Sequence, residues 1–342
     1  MAKHLSSTAY DAIIVGAGSA GCVLANLLSA TRHIRVLLLE AGPQDTSLYT
    51  KIPVGYYKTQ MNPKFDWCLQ TAPIPGLNQR SIQYPRGRIL GGSSSVNGML
   101  YVRPQSRDFQ EWSESTGGVA GAGTELWSNS ACLERFEKIE ETLQVGEARC
   151  NMVNTDAGIQ AFMAASKEIG VQNKNTKAED EKKSTHLNLQ GAYDGIIESS
   201  LQEGYGMLPV TVSPNGLRRS ASAAFLPKEV RNRKNLDIVV GVTVNTLSFA
   251  AETTTSQKTS TIPPSCDGVS FSTNDTGADN KLVTARLAPG GEVIVAAGTI
   301  GSPHLLLRSG IGDPSQLKKS GVHIVHDLPH VGQNMQDHCQ IK

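Results

Sequence analysis

Gly16, Gly18 and Gly21 stand in a Gly-x-Gly-x-x-Gly spacing directly after the apolar run Tyr10–Val15. Glycines at those intervals suit a pyrophosphate. The first allows a tight turn, the second lets phosphate approach the backbone, and the third lets a helix pack close to its strand. Ser19 adds a hydroxyl to the same turn. The helix that follows would aim unsatisfied N–H groups and a positive dipole end at the phosphates. Glu40 lies 19 residues beyond Gly21, at the end of the next apolar run, Ile34–Leu39. A carboxylate there can accept from both ribose hydroxyls of a dinucleotide. This spacing does not separate a nicotinamide from a flavin dinucleotide.

A second segment favours the flavin. Between Arg86 and Met99 the chain reads RGRILGGSSSVNGM, with four glycines and three consecutive serines. A stretch with so little bulk builds no core. It brings backbone N–H groups and small hydroxyls against a large flat ligand. An isoalloxazine ring needs such backbone along its edge.

The elements that would carry these groups form a βαβ unit: strand Tyr10–Val15, helix Gly21–Ala30 and strand Ile34–Leu39. Ala41–Tyr84 is rich in Pro, Gly, Asn and Thr and reads as a long excursion. Helices are predicted over Ser106–Trp112, Asn129–Leu143 and Ala157–Ile169, the second with Leu133, Phe136 and Ile139 on one face. Asn173–Thr185 reads as a charged linker. Strands are predicted at Gly206–Val212, Leu236–Val240, Thr243–Leu247 and Glu292–Ala296, and a short helix at Ser220–Phe225. Ala250–Asn280 reads as a loop holding one short strand near Val269–Phe271. A last helix, Ser302–Arg308, has Pro303 at an early position and stops at Ser309-Gly-Ile-Gly312.

The chain has 342 residues, 39% of them hydrophobic, and a net charge of +1. That length suits about two domains. The charge gives no reason to expect nucleic acid or an anionic membrane surface. No apolar run is long enough to span a membrane. The polar residues 1–9 lack an apolar secretory core, and six scattered cysteines form no Cys-x-x-Cys pair. A cytoplasmic protein with reduced thiols is therefore expected. His323, His326 and His330 lie on a strand-and-turn pattern that would splay them, so no metal site is expected. Trp67 and Trp112 read as packing residues, and Arg103 and Arg107 as surface or domain-seam residues.

Four ordered motifs resemble the glucose–methanol–choline (GMC) oxidoreductases. Gly87–Asn97, followed by Tyr101, Pro104 and Gln110, is similar to that family's first signature. Gly298–Gly312 is similar to the second. Asn235–Val244 resembles the strand pair whose backbone meets the adenine, and Asp327–His338 resembles the "VGQNLQDH" segment. The resemblance runs from Tyr10 to His338. It implies an α/β fold (α+β overall): a Rossmann-like FAD-binding domain with a second, incomplete substrate-binding domain. The expected division is 8–105 and 216–342 for the FAD-binding domain and 106–215 for a substrate or cap segment. It further implies FAD held by Gly16, Gly18, Ser19, Gly21, Glu40, Arg88, Gly91, Gly92, Ser93, Asn97 and Val244. Some members attach FAD through a histidine in the serine loop. Val96 stands there in this chain, so non-covalent FAD is expected. Asn97 is expected to be a buried amide with a partner.

The implied reaction is oxidation of an alcohol CH–OH to aldehyde or ketone, with hydride passing to flavin N5 and O2 or another acceptor taking the electrons. A biosynthetic setting is one placement for it. No residue here matches the family's catalytic histidine and its partner, which lie in a later region of its members. The sequence departs again at Val145–Asp156, where the family's "HG…GP" strand is absent, and in an extra polar stretch reaching about Ser200. A catalytically incomplete flavin-binding remnant and a lyase on the same scaffold are the alternatives. His338 reads as scaffold near the cofactor.

Overall fold

The computed structural model describes residues 8–116, 124–145, 157–168, 209–250, 264–273 and 282–337. The Asn173–Thr185 linker, the polar stretch to Ser200, nearly all of Val145–Asp156, the start of the Gly206–Val212 strand and His338 lie outside them.

The chain opens with β1 (Ala9–Val15), α1 (Ser19–Ser29) and β2 (Val36–Glu40). Short turns follow, holding α2 (Tyr56–Thr59) and the two-residue strands β3 (Leu69–Gln70) and β4 (Gln83–Tyr84). Next come α3 (Ser106–Thr116), α4 (Asn129–Leu143) and α5 (Ala157–Glu168), then α6 (Ala221–Phe225) and α7 (Lys228–Arg231). Strands β5 (Leu236–Val240), β6 (Val242–Phe249), β7 (Cys266–Thr273) and β8 (Leu282–Val295) precede α8 (Gly298–Arg308). The elements β9 (Ile311–Gly312), α9 (Pro314–Lys319) and β10 (His326–Asp327) come last.

Two compact units result: Met1–Ser47 with Tyr57–Val96 and Ala221–Lys342, and Leu48–Tyr56 with Asn97–Ser220. The first is built on a six-stranded sheet in the order β5-β2-β1-β8-β7-β6. Its β5, β2, β1 and β8 pair in parallel, and β8, β7 and β6 pair antiparallel. The β1 and β2 sequences, AYDAIIV and VLLLE, lack the polar alternation of a half-exposed strand. Every residue of β2 is buried, as a central parallel strand requires. Tyr10, Ile13, Leu37, Leu39, Val269 and Phe271 lie in one core.

Two predicted elements are corrected. The structure extends the short strand at Glu292–Ala296 into β8, 14 residues long. Pro289-Gly290-Gly291 interrupts the β pattern in sequence, but in the fold it makes an irregularity within a continuous strand. Its first half pairs with β7, and the register against β1 shifts between Tyr10 and Ala12. The last long helix begins at Gly298 and not at Ser302, so Pro303 lies inside it. The strands on either side of Gly241 are not paired with each other: β5 joins β2, and β6 joins β7.

In the second unit, Leu100 bridges Val210 and Val212 bridges Arg218. Arg103, expected at a surface or a domain seam, is 4% exposed and makes a two-pronged ion pair with Glu140 of α4 within this unit. Arg107 is exposed and pairs with Glu111 one turn on. Among the described residues no helix is long and apolar enough to cross a membrane.

Candidate functional site

The first unit brings the glycine turn after β1 and the serine loop into direct contact. Gly16 takes a φ of +98° and donates its N–H to Leu39 at 2.8 Å. A Cβ on Gly21 would fall 1.9 Å from the Gly16 carbonyl oxygen, so α1 crosses its strand as closely as backbone allows. Gly91 donates its N–H to the Ala17 carbonyl at 2.8 Å. A Cβ on Gly92 would lie 2.7 Å from the Gly18 Cα.

Ala17 is the hub of this arrangement, and the sequence reading missed it. Its N–H donates to Glu40 Oε2 at 3.0 Å, and its carbonyl accepts from Gly91 and from the Cys22 thiol. Burial pushes that thiol up to about 12, aided by the nearby Glu40 charge, so it stays a protonated donor. Glu40 Oε1 accepts from the Gly42 N–H at 2.8 Å. Glu40 is 6% exposed, and burial holds its pKa above the ordinary carboxylate value despite these hydrogen bonds. The carboxylate expected to face a ribose thus also pins the turn. A third backbone hydrogen bond, from Ala41, also holds this carboxylate.

The three serines do three different things. Ser93 Oγ accepts from the Gly87 N–H, Ser94 Oγ donates to the Gly91 carbonyl at 2.6 Å, and Ser95 Oγ donates to Leu90. Val96 is buried with Phe65 and Ile89.

The ligand-facing features fit an anionic dinucleotide. A Cβ on Gly18 would meet nothing within 4 Å, and the same holds at Gly298. Neither α1 nor α8 has a side-chain cap or an acidic residue in its first turn. Their first N–H groups are therefore the kind that phosphate oxygens satisfy. The two helix starts are neighbours, since a Cβ on Gly16 would lie 2.5 Å from the Ala296 oxygen. Arg88 Nε is buried without a hydrogen-bond partner. Its guanidinium lies 5.3 Å from the centre of the Trp67 ring, and its charge lowers the Glu40 pKa.

The other expected residues fall elsewhere. Val244 lies on β6 opposite Phe271 and packs against the sheet's core. Asn97 belongs to the second unit and is exposed, not buried. Its Oδ1 accepts from Arg218 Nη1 at 2.9 Å and from the Met99 N–H at 3.1 Å, which turns its amide N–H groups away from those donors. Burial lowers the Arg218 pKa to about 10. In the first unit Asp337 accepts from the Tyr84 hydroxyl at 2.9 Å, and Arg86 lies over the Tyr84 ring. Trp112 makes edge contacts with Phe109 and Trp127. No group of three or more His, Cys, Asp or Glu that could hold a metal ion occurs among the described residues.

A family model described as GMC oxidoreductase matches residues 10–340. An alcohol dehydrogenase (acceptor) of Pseudomonas putida is 37% identical over 332 residues, covering 97% of this chain and 54% of that protein. An oxygen-dependent choline dehydrogenase of Photobacterium profundum is 36% identical over 346 residues, covering 98% and 52%. The chain spans about half the length of the curated relatives it matches. Among solved structures, pyridoxine 4-oxidase from Mesorbium loti superposes with a TM-score of 0.68 at 25% identity, covering 94% of this chain and 55% of that one. A formate oxidase superposes at 0.73 with 23% identity, covering 96% and 52%, a likeness of fold.

Proposed function

The chain belongs to the GMC oxidoreductase family, and from that premise we propose that it serves an FAD-dependent oxidation of a small alcohol's CH–OH group to an aldehyde or ketone. When bound, FAD supplies the hydride acceptor, and O2 or another acceptor takes the electrons onward. The observation that carries the reading is the seating of Gly91 and Gly92 on Ala17 and Gly18. A dinucleotide turn alone suits several cofactors. A second glycine-serine backbone fastened to it suits one with a broad ring system beside its phosphates.

In this reading Gly16, Gly18, Ser19 and Gly21 cradle the pyrophosphate. Glu40 holds the ribose, and Arg88 offers its unpaired Nε to a ligand oxygen. Gly91, Gly92 and Ser93 present backbone to the ring, and Val244 presents backbone to the adenine. Asn97, with its Oδ1 already used, offers N–H donors to an acceptor. The first compact unit is the FAD-binding domain and the second the substrate segment. The chain holds FAD without a covalent bond, because Val96 offers no nucleophile and is packed with Phe65 and Ile89. Four described cysteines are free thiols, in keeping with a cytoplasmic setting.

The test is anaerobic spectroscopy of the purified chain with a panel of small alcohols and a dye acceptor. Loss of the oxidised flavin band with formation of aldehyde or ketone supports the reading. A flavin that no alcohol bleaches contradicts it. Aldehyde release without flavin reduction points to lyase chemistry. Colour retained by acid-precipitated protein contradicts the non-covalent assignment.

A further inference from the structure

We infer that Arg231, Asp45 and Ser222 form a positioning brace that fixes the Gly91–Gly92 backbone against the dinucleotide turn, and so sets the affinity for FAD. This rests on the flavin reading above and extends it to three residues outside the glycine turn and the serine loop.

The brace runs through one unbroken set of contacts within the first unit. Arg231, at the end of α7, grips Asp45 with both prongs of its guanidinium, each at 3.0 Å. Its Nε donates to the Leu226 carbonyl, which ties the fork to the end of α6. Asp45 Oδ2 also accepts from Ser222 Oγ at 2.7 Å. Ser222 is fully buried. Its Oγ lies 2.8 Å from where a Cβ on Gly91 would be, so the Ser222 side chain is packed against the Gly91 backbone. One residue earlier on α6, the Ala221 N–H donates to Ser94 Oγ, which itself donates to the Gly91 carbonyl. Helix α6 thus holds Gly91 from two directions while the Gly91 N–H is fixed on Ala17.

Burial works to raise the Asp45 pKa, but hydrogen bonds from Arg231 and Ser222 and the Arg231 charge hold it below the ordinary value. The ionised, doubly held carboxylate leaves Ser222 little choice of rotamer. A loop that must present bare backbone to a ring has no side chain of its own to anchor it, and the brace supplies that anchor from behind.

The test titrates FAD into flavin-stripped full chain, with thermal unfolding of the same flavin-free samples. Asp45→Asn, Ser222→Ala and the double variant are compared with Tyr10→Phe, which removes a hydrogen bond to Asp237 at the opposite end of β1. Asp45→Asn and Ser222→Ala should each weaken FAD about tenfold, the scale of one hydrogen bond to a charged group. The double variant should add little to either single one, as members of one linked set do. Tyr10→Phe should lower the melting midpoint yet leave FAD affinity within about twofold. Should Asp45→Asn not fold, Arg231→Lys keeps the charge and loses the fork, and the same weakening is expected. Wild-type affinity in Ser222→Ala and Arg231→Lys, or additive losses in the double variant, would overturn the brace alone. Wild-type chain that takes up no FAD would overturn the cofactor reading and the brace with it.

Discussion

The Gly91 N–H donates to the Ala17 carbonyl at 2.8 Å, although the two residues are 74 positions apart in sequence. That bond joins the two segments whose composition first pointed to chemistry. It also makes the serine loop a fixed wall of the dinucleotide turn. Gly92 completes the contact, since any Cβ there would press on the Gly18 Cα at 2.7 Å.

Gly92→Ala and Gly18→Ala should therefore fail in different ways. Gly92 has a φ of +56° and no room, so alanine there should lower both the melting midpoint and the bound flavin. The strain of a non-glycine residue in that region adds about 1 kcal/mol or more to the clash. Gly18 faces open space, so Gly18→Ala should melt like wild type when flavin-free. FAD affinity should still fall, by tenfold or more on the scale of about 1.4 kcal/mol per decade, because the methyl enters the phosphate's approach. Calorimetry of flavin-free protein beside FAD titration separates the two outcomes.

Glu40 and Asp45 should give stability opposite pH dependences. Burial raises the Glu40 pKa in the folded chain. Its stability contribution is therefore full below the ordinary carboxyl value and lost as pH climbs through the raised one. Hydrogen bonds from Arg231 and Ser222, with the Arg231 charge, lower that of Asp45 against the pull of burial. Its contribution is present above the ordinary value and lost as pH falls through the depressed one. Melting midpoints of wild type minus Glu40→Gln should fall with rising pH across the first window. Those of wild type minus Asp45→Asn should fall with acidification across the second.

Arg103 and Glu140 are both nearly inaccessible to water. Removing one partner leaves a buried charge, so Arg103→Met should destabilise the chain by about 3–5 kcal/mol. Adding Glu140→Leu to Arg103→Met should restore most of that loss. Urea unfolding of the two variants checks both statements.

The parts legible in the sequence were those whose physics is local. Strand β1, the glycine turn and β2 follow from an apolar run, three spaced glycines and a second apolar run, and the structure places them within one or two residues. The serine loop taken alone has the composition of a connector, and only its company, the glycine turn upstream and the Gly-Ser-Pro helix start downstream, marks it as a cradle. Elements whose partners are distant in sequence were less accessible. Nothing near Arg103 in sequence announces Glu140, which the fold places beside it. Asp45 and Arg231 are 186 residues apart, and neither sits in a motif. Strand β8 was hidden by Pro289-Gly290-Gly291, which marks a turn in isolation and an irregularity when neighbouring strands hold both sides. Asn97 is expected to be buried as an amide beside a flavin, yet it is exposed, and the chain leaves the first unit at that residue.

We propose that the glycine turn and the serine loop form one flavin seat. Equilibrium titration of the flavin-free chain with FAD, and separately with NAD, tests it most directly. The expected result is saturable, stoichiometric uptake of FAD, released intact by acid, with much weaker binding of NAD. A chain that takes up NAD in preference to FAD, or neither dinucleotide, would contradict it.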